Sequence, residues 1–345
     1  PHAVAGGYRL ASASLNGATR NPWNPERWAG GSSSGPAAAV AAGLVPFAIG
    51  SETLGSIVTP CAFSGVTGLR PTYGLVSRHG AMPLAWTMDK IGPICRSAED
   101  CGHVLQAISG GDANDPSSAG KSFYYTPQFA RKLTDLKAGF APADFNDNLP
   151  EPLRPAFGAA LIAFRDLGLQ MVEIGLPDFP YDEVAQIIIA AEGSAVFEPL
   201  IKSGAVEQLA DERQIEGLKA GLEIPARDYL RAMRIRSLIR QQMRQLFSKV
   251  DLVVAPAAFR TATQLDEPLD RAGTGLPQGS GRSLAALTAA GNLAGLPALV
   301  LPCGFSEGLP VALQLVGRAF TENTLLAAGV AFQQRTDFHR RRPPT

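Results

Sequence analysis

Residues Gly30–Cys61 read GGSSSGPAAAVAAGLVPFAIGSETLGSIVTPC. A glycine-flanked serine cluster, Ser32 to Ser34, precedes an alanine-rich segment and a second Gly/Ser turn that ends at Ser56. The flanking glycines let the chain turn sharply around Ser32. Pro36 to Ala42 is predicted as a helix, because proline suits the first turn, alanine has the highest helix propensity, and Gly43 ends the run. Leu44 to Gly50 is a short apolar run predicted as a buried strand, with Pro46 arguing against a central place in a sheet. Ser51 to Ser56 is predicted as a tight loop. Its consecutive N–H groups at Thr53, Leu54, Gly55 and Ser56 can converge on one developing negative charge. Two polar turns on either side of a helical connector thus gather two serine hydroxyls and several backbone donors, a set that suits a nucleophile and an oxyanion hole.

Two other readings compete. A Ser/Gly linker followed by a core helix accounts for GSSSG alone. The same residues also fit G-x-S-x-G, with Ser33 as the nucleophile of an α/β-hydrolase elbow. That elbow needs an apolar strand directly before it, and here the chain reads NPWNPERWAG, Asn21 to Gly30, which is a loop. The histidines are His2, His79, His103 and His339. His339 lies in a basic tail and His103 in a predicted helix, so neither is expected to act in acid–base chemistry.

Taken whole, Gly30–Cys61 resembles the signature of the amidase signature family. Ser32 stands 24 residues before Ser56, the separation of that family's bridging serine and nucleophile. NPWNPERWAGG resembles the lead-in, and GLRPTYGLVSR (68–78) and TMDKIGPICRSAED (87–100) the blocks that follow. GNLAGLPALVLPCGF (291–305) and LPVALQLVGRAFTENTLL (309–326) resemble the closing strands and helix. Residues 120 to 280 are only loosely similar. The resemblance implies an α/β fold with a mixed, twisted central sheet flanked by helices on both faces. It implies a Ser-Ser-Lys machine: Ser56 attacks an amide carbonyl, Ser32 relays the proton to and from a lysine, and the N–H groups of Thr53, Leu54, Gly55 and Ser56 hold the oxyanion. A hydroxyl is a weak nucleophile until a base takes its proton, and burial can bring a lysine near neutrality for that task. Ser33, Val58 and Thr59 are the expected substrate-binding residues. The substrate is a small-molecule amide, no cofactor or metal is called for, and a homodimer is allowed.

The chain departs from the family pattern in three places. The family's lysine lies upstream of the Gly-Gly-Ser turn, yet none of the 29 residues before Gly30 is lysine. The first lysine, Lys90, sits at a position the family does not use for its base. The opening Pro1-His2 has no initiator methionine, so the chain is expected to be a piece of a longer protein, with the N-terminal part of the fold missing and its activity impaired; a lysine-free pseudoenzyme is the alternative. Leu54 stands where the family often has glycine, and is expected to take an ordinary φ and face the pocket wall. Val58 and Thr59 are uncharged where many relatives carry arginine. This favours a neutral substrate over one with a carboxylate, unless Arg70 or Arg78 supplies the missing guanidinium. A tRNA-dependent amidotransferase A-type subunit with partner subunits, or a non-catalytic protein keeping the amidase fold, are the alternative functions.

Lysine plus arginine and aspartate plus glutamate number 31 each, which gives no support for nucleic-acid binding. The 46% hydrophobic and 18% charged content suits a globular chain. Cys61, Cys95, Cys101 and Cys303 form no C-x-x-C pair and no metal-like spacing with histidine. Buried, reduced thiols suit a cytoplasmic protein. No apolar stretch is long enough to span a bilayer. Residues 1–345 are read as a single domain, with 111–282 a variable region that shapes the substrate channel. Ser97 and Asp100 resemble a capping box ahead of a helix to Ile108. Helices are predicted over 153–167 and within 181–248, and strands at Leu169–Ile174 and Asp251–Pro256. In the longest helix, 226–249, Ile235, Leu238, Ile239, Met243 and Leu246 form the apolar stripe, and Arg234, Arg236, Arg240 and Arg244 a solvated basic face. Residues 260–282 are expected to border the channel.

Overall fold

The structure is a computed structural model that describes residues 16–269 and 283–344. The two closing blocks form its centre. β9 (Ala298–Ser306) and β10 (Leu309–Gly317) are a long antiparallel pair, buried along almost their whole length. Their near-continuous apolar sequence reflects cover on both faces. Leu299, Leu301, Leu313 and Leu315 point into one core cluster, while Ala298, Val300, Ala312 and Val316 point into clusters on the other side. That alternation is the period-two signature of a strand.

Around this pair the sheet has eight strands in the order β3-β5-β4-β9-β10-β8-β6-β7. Here β3 is Phe47–Glu52, β4 Thr67–Arg70, β5 Lys90–Cys95, β6 Lys137–Phe140, β7 Gln170–Glu173 and β8 Leu252–Pro256. The pairings from β3 to β8 are antiparallel, and β6 runs parallel to both β8 and β7. A short hairpin of β1 (Arg20–Asn21) and β2 (Asn24–Trp28) stands apart.

One face of the sheet is covered by α3 (Ala98–Ile108), α4 (Arg154–Asp166) and α10 (Glu322–Arg335), whose Leu105, Phe157, Phe164 and Phe332 pack together. On the other face lie α1 (Ser34–Ala41), α2 (Val58–Ser64), α5 (Tyr181–Val196), α8 (Ala226–Leu246) and α9 (Leu287–Ala294). The shorter α6 (Glu198–Lys202) and α7 (Glu212–Leu222) follow α5. This is the mixed, two-sided α/β architecture that the resemblance implied. At α3 the Ser97 Oγ accepts from the Asp100 N–H at 3.0 Å and donates to its carboxylate at 2.7 Å. All four cysteines are buried and unbridged.

Three local expectations change. The Leu44–Gly50 strand is not buried on both faces: in β3, at the sheet edge, Phe47 and Ile49 are 47% and 41% exposed because nothing among the described residues packs over their face, while Gly50 and Glu52 on the alternate face are buried. On α8, Leu238 is 53% exposed, whereas Ile239, Met243 and Leu246 face the core. Arg236 leaves the basic face altogether and is buried, donating to the Leu293 carbonyl and to Thr87. Of the expected channel loop 260–282, residues 270–282 lie outside the described residues.

Candidate active site

The two polar turns meet because α1 folds the first back over the second. The Ser33 N–H donates to the Ser56 carbonyl at 3.1 Å. The Ser33 hydroxyl both accepts from the Ser51 N–H and donates to the Ser51 carbonyl, each at 3.1 Å. Gly30, at φ +85°, passes so close to α2 that a Cβ would lie 2.6 Å from Pro60 Cα. The Gly31–Ser32 peptide is cis. Ser32 and Ser56 then border one cavity of about 540 Å³, together with Ser51, Thr53, Asp89 and Lys90. The rest of its wall is largely apolar, from Met82, Leu84, Trp86, Ile91 and Phe197.

The loop from Thr53 to Ser56 turns at Gly55, which has φ +90°. Leu54 keeps an ordinary φ, but its side chain packs against the cluster of α5, α8 and α9 and does not border the cavity. Among the described residues no acceptor takes the N–H of Leu54, Gly55 or Ser56. The next two N–H groups, Ile57 and Val58, donate to Glu52 Oε2 at 2.8 and 2.9 Å. Glu52 is fully buried and also accepts from Arg70 Nη1 and Asn292 Nδ2, each at 2.7 Å on Oε1. Burial alone would raise this carboxyl. The Arg70 guanidinium outweighs it, with Lys90 and the hydrogen bonds from Arg70 and Asn292, and holds the pKa at about 2.

Not every expected site residue reaches the cavity. Val58 is buried among Trp28, Cys61 and Phe63 and belongs to the core, because its Cβ points away from the loop it follows. Ser33 is also buried, and the Ser51 peptide takes its hydroxyl. Thr59 lies behind the loop, its Oγ1 3.3 Å from where a Gly55 Cβ would stand. Neither alternative arginine offers an open fork. Arg70 is buried on Glu52, and Arg78 borders the cavity with Nε and Nη2 on Asp115 at 3.1 and 2.9 Å. Those bonds hold the Asp115 carboxyl far below its usual range.

Lys90, which the family pattern sets aside, faces the same cavity as Ser32 and Ser56. β3 and β5 pair it directly with Glu52, and its Nζ donates to the Met88 carbonyl. Burial, reinforced by Arg70, pulls the amine down to about 7, against the opposing pull of Glu52 and Asp89. Glu52 and Lys90 did carry a signal in the sequence, a charge in or beside an apolar strand. Their partners lie on other elements, so the signal could not be decoded there. Among the described residues no cluster of His, Cys, Asp or Glu is suited to hold a metal, and no helix is long and apolar enough to cross a membrane.

The family model described as Amidase matches residues 7–326. The chain is 39% identical to the glutamyl-tRNA(Gln) amidotransferase A-type subunit of Roseiflexus castenholzii, over 97% of this chain and 73% of that relative. Among solved structures it is similar to a vestigial protein complex related to the origins of an s-triazine catabolic enzyme, with TM-score 0.82, 29% identity and cover of 99% and 73% of the two chains. It is also similar to the native peptide amidase of Stenotrophomonas maltophilia, with TM-score 0.76, 32% identity and cover of 96% and 70%. With its two-faced mixed sheet and its paired serine turns, the chain belongs to the amidase family of amide C–N bond hydrolases.

Proposed function

We propose that this protein hydrolyses a small neutral amide through an acyl-enzyme on Ser56. Ser32 relays the proton, first from Ser56 and then to the leaving amine, since one hydroxyl both donates and accepts. The N–H groups of Thr53, Leu54, Gly55 and Ser56 receive the oxyanion. The observation that supports the reading is the meeting of Ser32 and Ser56 at one cavity, on a loop where, among the described residues, no acceptor takes the N–H of Leu54, Gly55 or Ser56. The resemblance gives the base to a lysine upstream of Gly30. A second reading, favoured by its burial at the same cavity and its depressed pKa, gives that task to Lys90. A neutral substrate follows from the wall, which is mostly apolar and whose Arg78 is already neutralised by Asp115. The variable region 111–282 contributes Asn114, Asp115, Pro116 and Phe197 to that wall.

The curated relatives named as amidotransferase A-type subunits favour the alternative, a subunit that releases ammonia from glutamine and works with partner subunits. Labelling with a fluorophosphonate followed by peptide mapping tests the main reading without knowledge of the substrate. Label on Ser56, lost in Ser56→Ala, supports it. Label on Ser33, or equal labelling of Ser56→Ala, refutes it. Glutamine hydrolysis by a preparation that retains partner subunits would shift the reading to the amidotransferase.

A further inference from the structure

The loop that carries Ser56 is tied at both ends by buried or half-buried carboxylates. Glu52 holds its exit through the N–H groups of Ile57 and Val58. Its entry is held from the segment 84–89. Thr53 Oγ1 donates to Asp89 Oδ1 at 2.6 Å. The same carboxylate accepts from the Leu84 N–H at 2.8 Å and from the Ala85 N–H at 3.0 and 3.1 Å. We propose that Asp89 is a positioning residue for the oxyanion loop, acting through the Thr53 hydroxyl. The inference rests on the proposed role of Ser56 and of the N–H groups that follow Thr53.

Asp89 can act as a fixed point because its own segment is clamped. Thr87 donates to Glu192 twice, from N–H at 3.1 Å and from Oγ1 at 2.8 Å. Arg236 donates to the Thr87 hydroxyl and carbonyl, both at 2.7 Å, and to the Leu293 carbonyl at 2.8 Å. The Tyr229 hydroxyl completes the clamp on Glu192 at 2.8 Å. Helices α5, α8 and α9 therefore hold the 84–89 segment, and Asp89 carries that rigidity across to Thr53. The Thr53–Asp89 contact is a charge-assisted O–H···O⁻ bond, the short and strong kind. An oxyanion hole works through donors already aimed where charge develops, so a loop that must first order itself stabilises the transition state less.

The test compares wild type with Thr53→Val, which keeps the side-chain shape and removes the donor, and with Asp89→Asn. Two readouts are followed: fluorophosphonate inactivation of Ser56, separated into kinact and KI, and amide hydrogen exchange across 53–58. The expected result is a fall in kinact of about 10- to 100-fold in both variants, below the full loss for deleting one oxyanion donor. KI stays within about twofold and exchange at 57 and 58, whose N–H groups are bonded to Glu52, quickens. Thr53→Ser, which returns the hydroxyl, recovers the greater part of the loss, an outcome that a merely space-filling role would not give. Unchanged kinact in a labelled wild-type background overturns the inference, whatever the exchange shows. If wild-type protein takes no label at Ser56, the proposed function gains no support from this chain, and exchange alone decides this inference: faster exchange in both variants upholds the positioning and unchanged exchange rejects it.

Discussion

Replacing Glu52 with glutamine tests a fully buried carboxylate both of whose oxygens accept hydrogen bonds. The carboxylate takes four donors, from Ile57, Val58, Arg70 and Asn292, with no exposure to water. Glutamine keeps the volume but turns one acceptor oxygen into a donor facing those donors, and leaves the Arg70 charge buried without its counter-ion. Removing one partner of a buried pair costs about 3–5 kcal/mol. The depressed pKa gives a figure of the same size. A fall of the carboxyl from 4.5 to about 2 corresponds to about 3 kcal/mol at 1.36 kcal/mol per pH unit. Because the folded pKa is depressed, that stability is present in full above pH 4.5 and is lost as pH falls through 2. Glutamine does not titrate. Urea unfolding followed by tryptophan fluorescence should therefore show Glu52→Gln less stable by about 3–5 kcal/mol at pH 7, with the gap narrowing as pH falls from 5 to 2.5. A gap under about 1 kcal/mol at pH 7, the scale of one ordinary hydrogen bond, or a gap of constant size across that range, would refute the reasoning.

Lys90→Met should stabilise the fold at pH 6, because a lowered amine pKa means that burial and Arg70 cost the charged form more than Glu52 and Asp89 return. Burial lowers the amine from 10.5 to about 7, so the cost of Lys90 is complete below pH 7 and fades as pH rises to 10.5; a gain that grows with pH would contradict this. The same variant tests Lys90 as the base: collapse of Ser56 labelling supports it and persistence of labelling rejects it. Gly68→Ala places a Cβ 2.3 Å from Cys61 Sγ and 3.0 Å from Ile57 Cγ2. Overpacking there should cost about 1–3 kcal/mol in urea unfolding, and Cys61→Ala in the same chain should recover most of it; a cost below about 0.5 kcal/mol, the level of an ordinary surface change, would show that α2 yields freely.

Much of the fold was legible because it is written in local pattern. The capping box at Ser97, the apolar run of β8 and the helix over Ser34–Ala41 each depend on residues within a few positions of one another. The burial of β3 and the solvation of Arg236 were misread for the opposite reason. The exposure of a strand face, like that of a helix face, is set by what packs on it, and neither is a property of the segment itself. At the site, the sequence carried the two serine turns and their separation, which a chain with those glycines and that connector must bring back on itself. Only the tertiary structure decided that Ser33 and Val58 turn inward, that Lys90 faces the serine cavity, and that Glu52, Asp89 and Arg236 brace the loop between them. The roles of Glu52, Asp89 and Arg236 draw on hydrogen bonds that span up to 240 residues of chain, and a contact whose partners are chosen by folding leaves no pattern at either end for a linear reading to find.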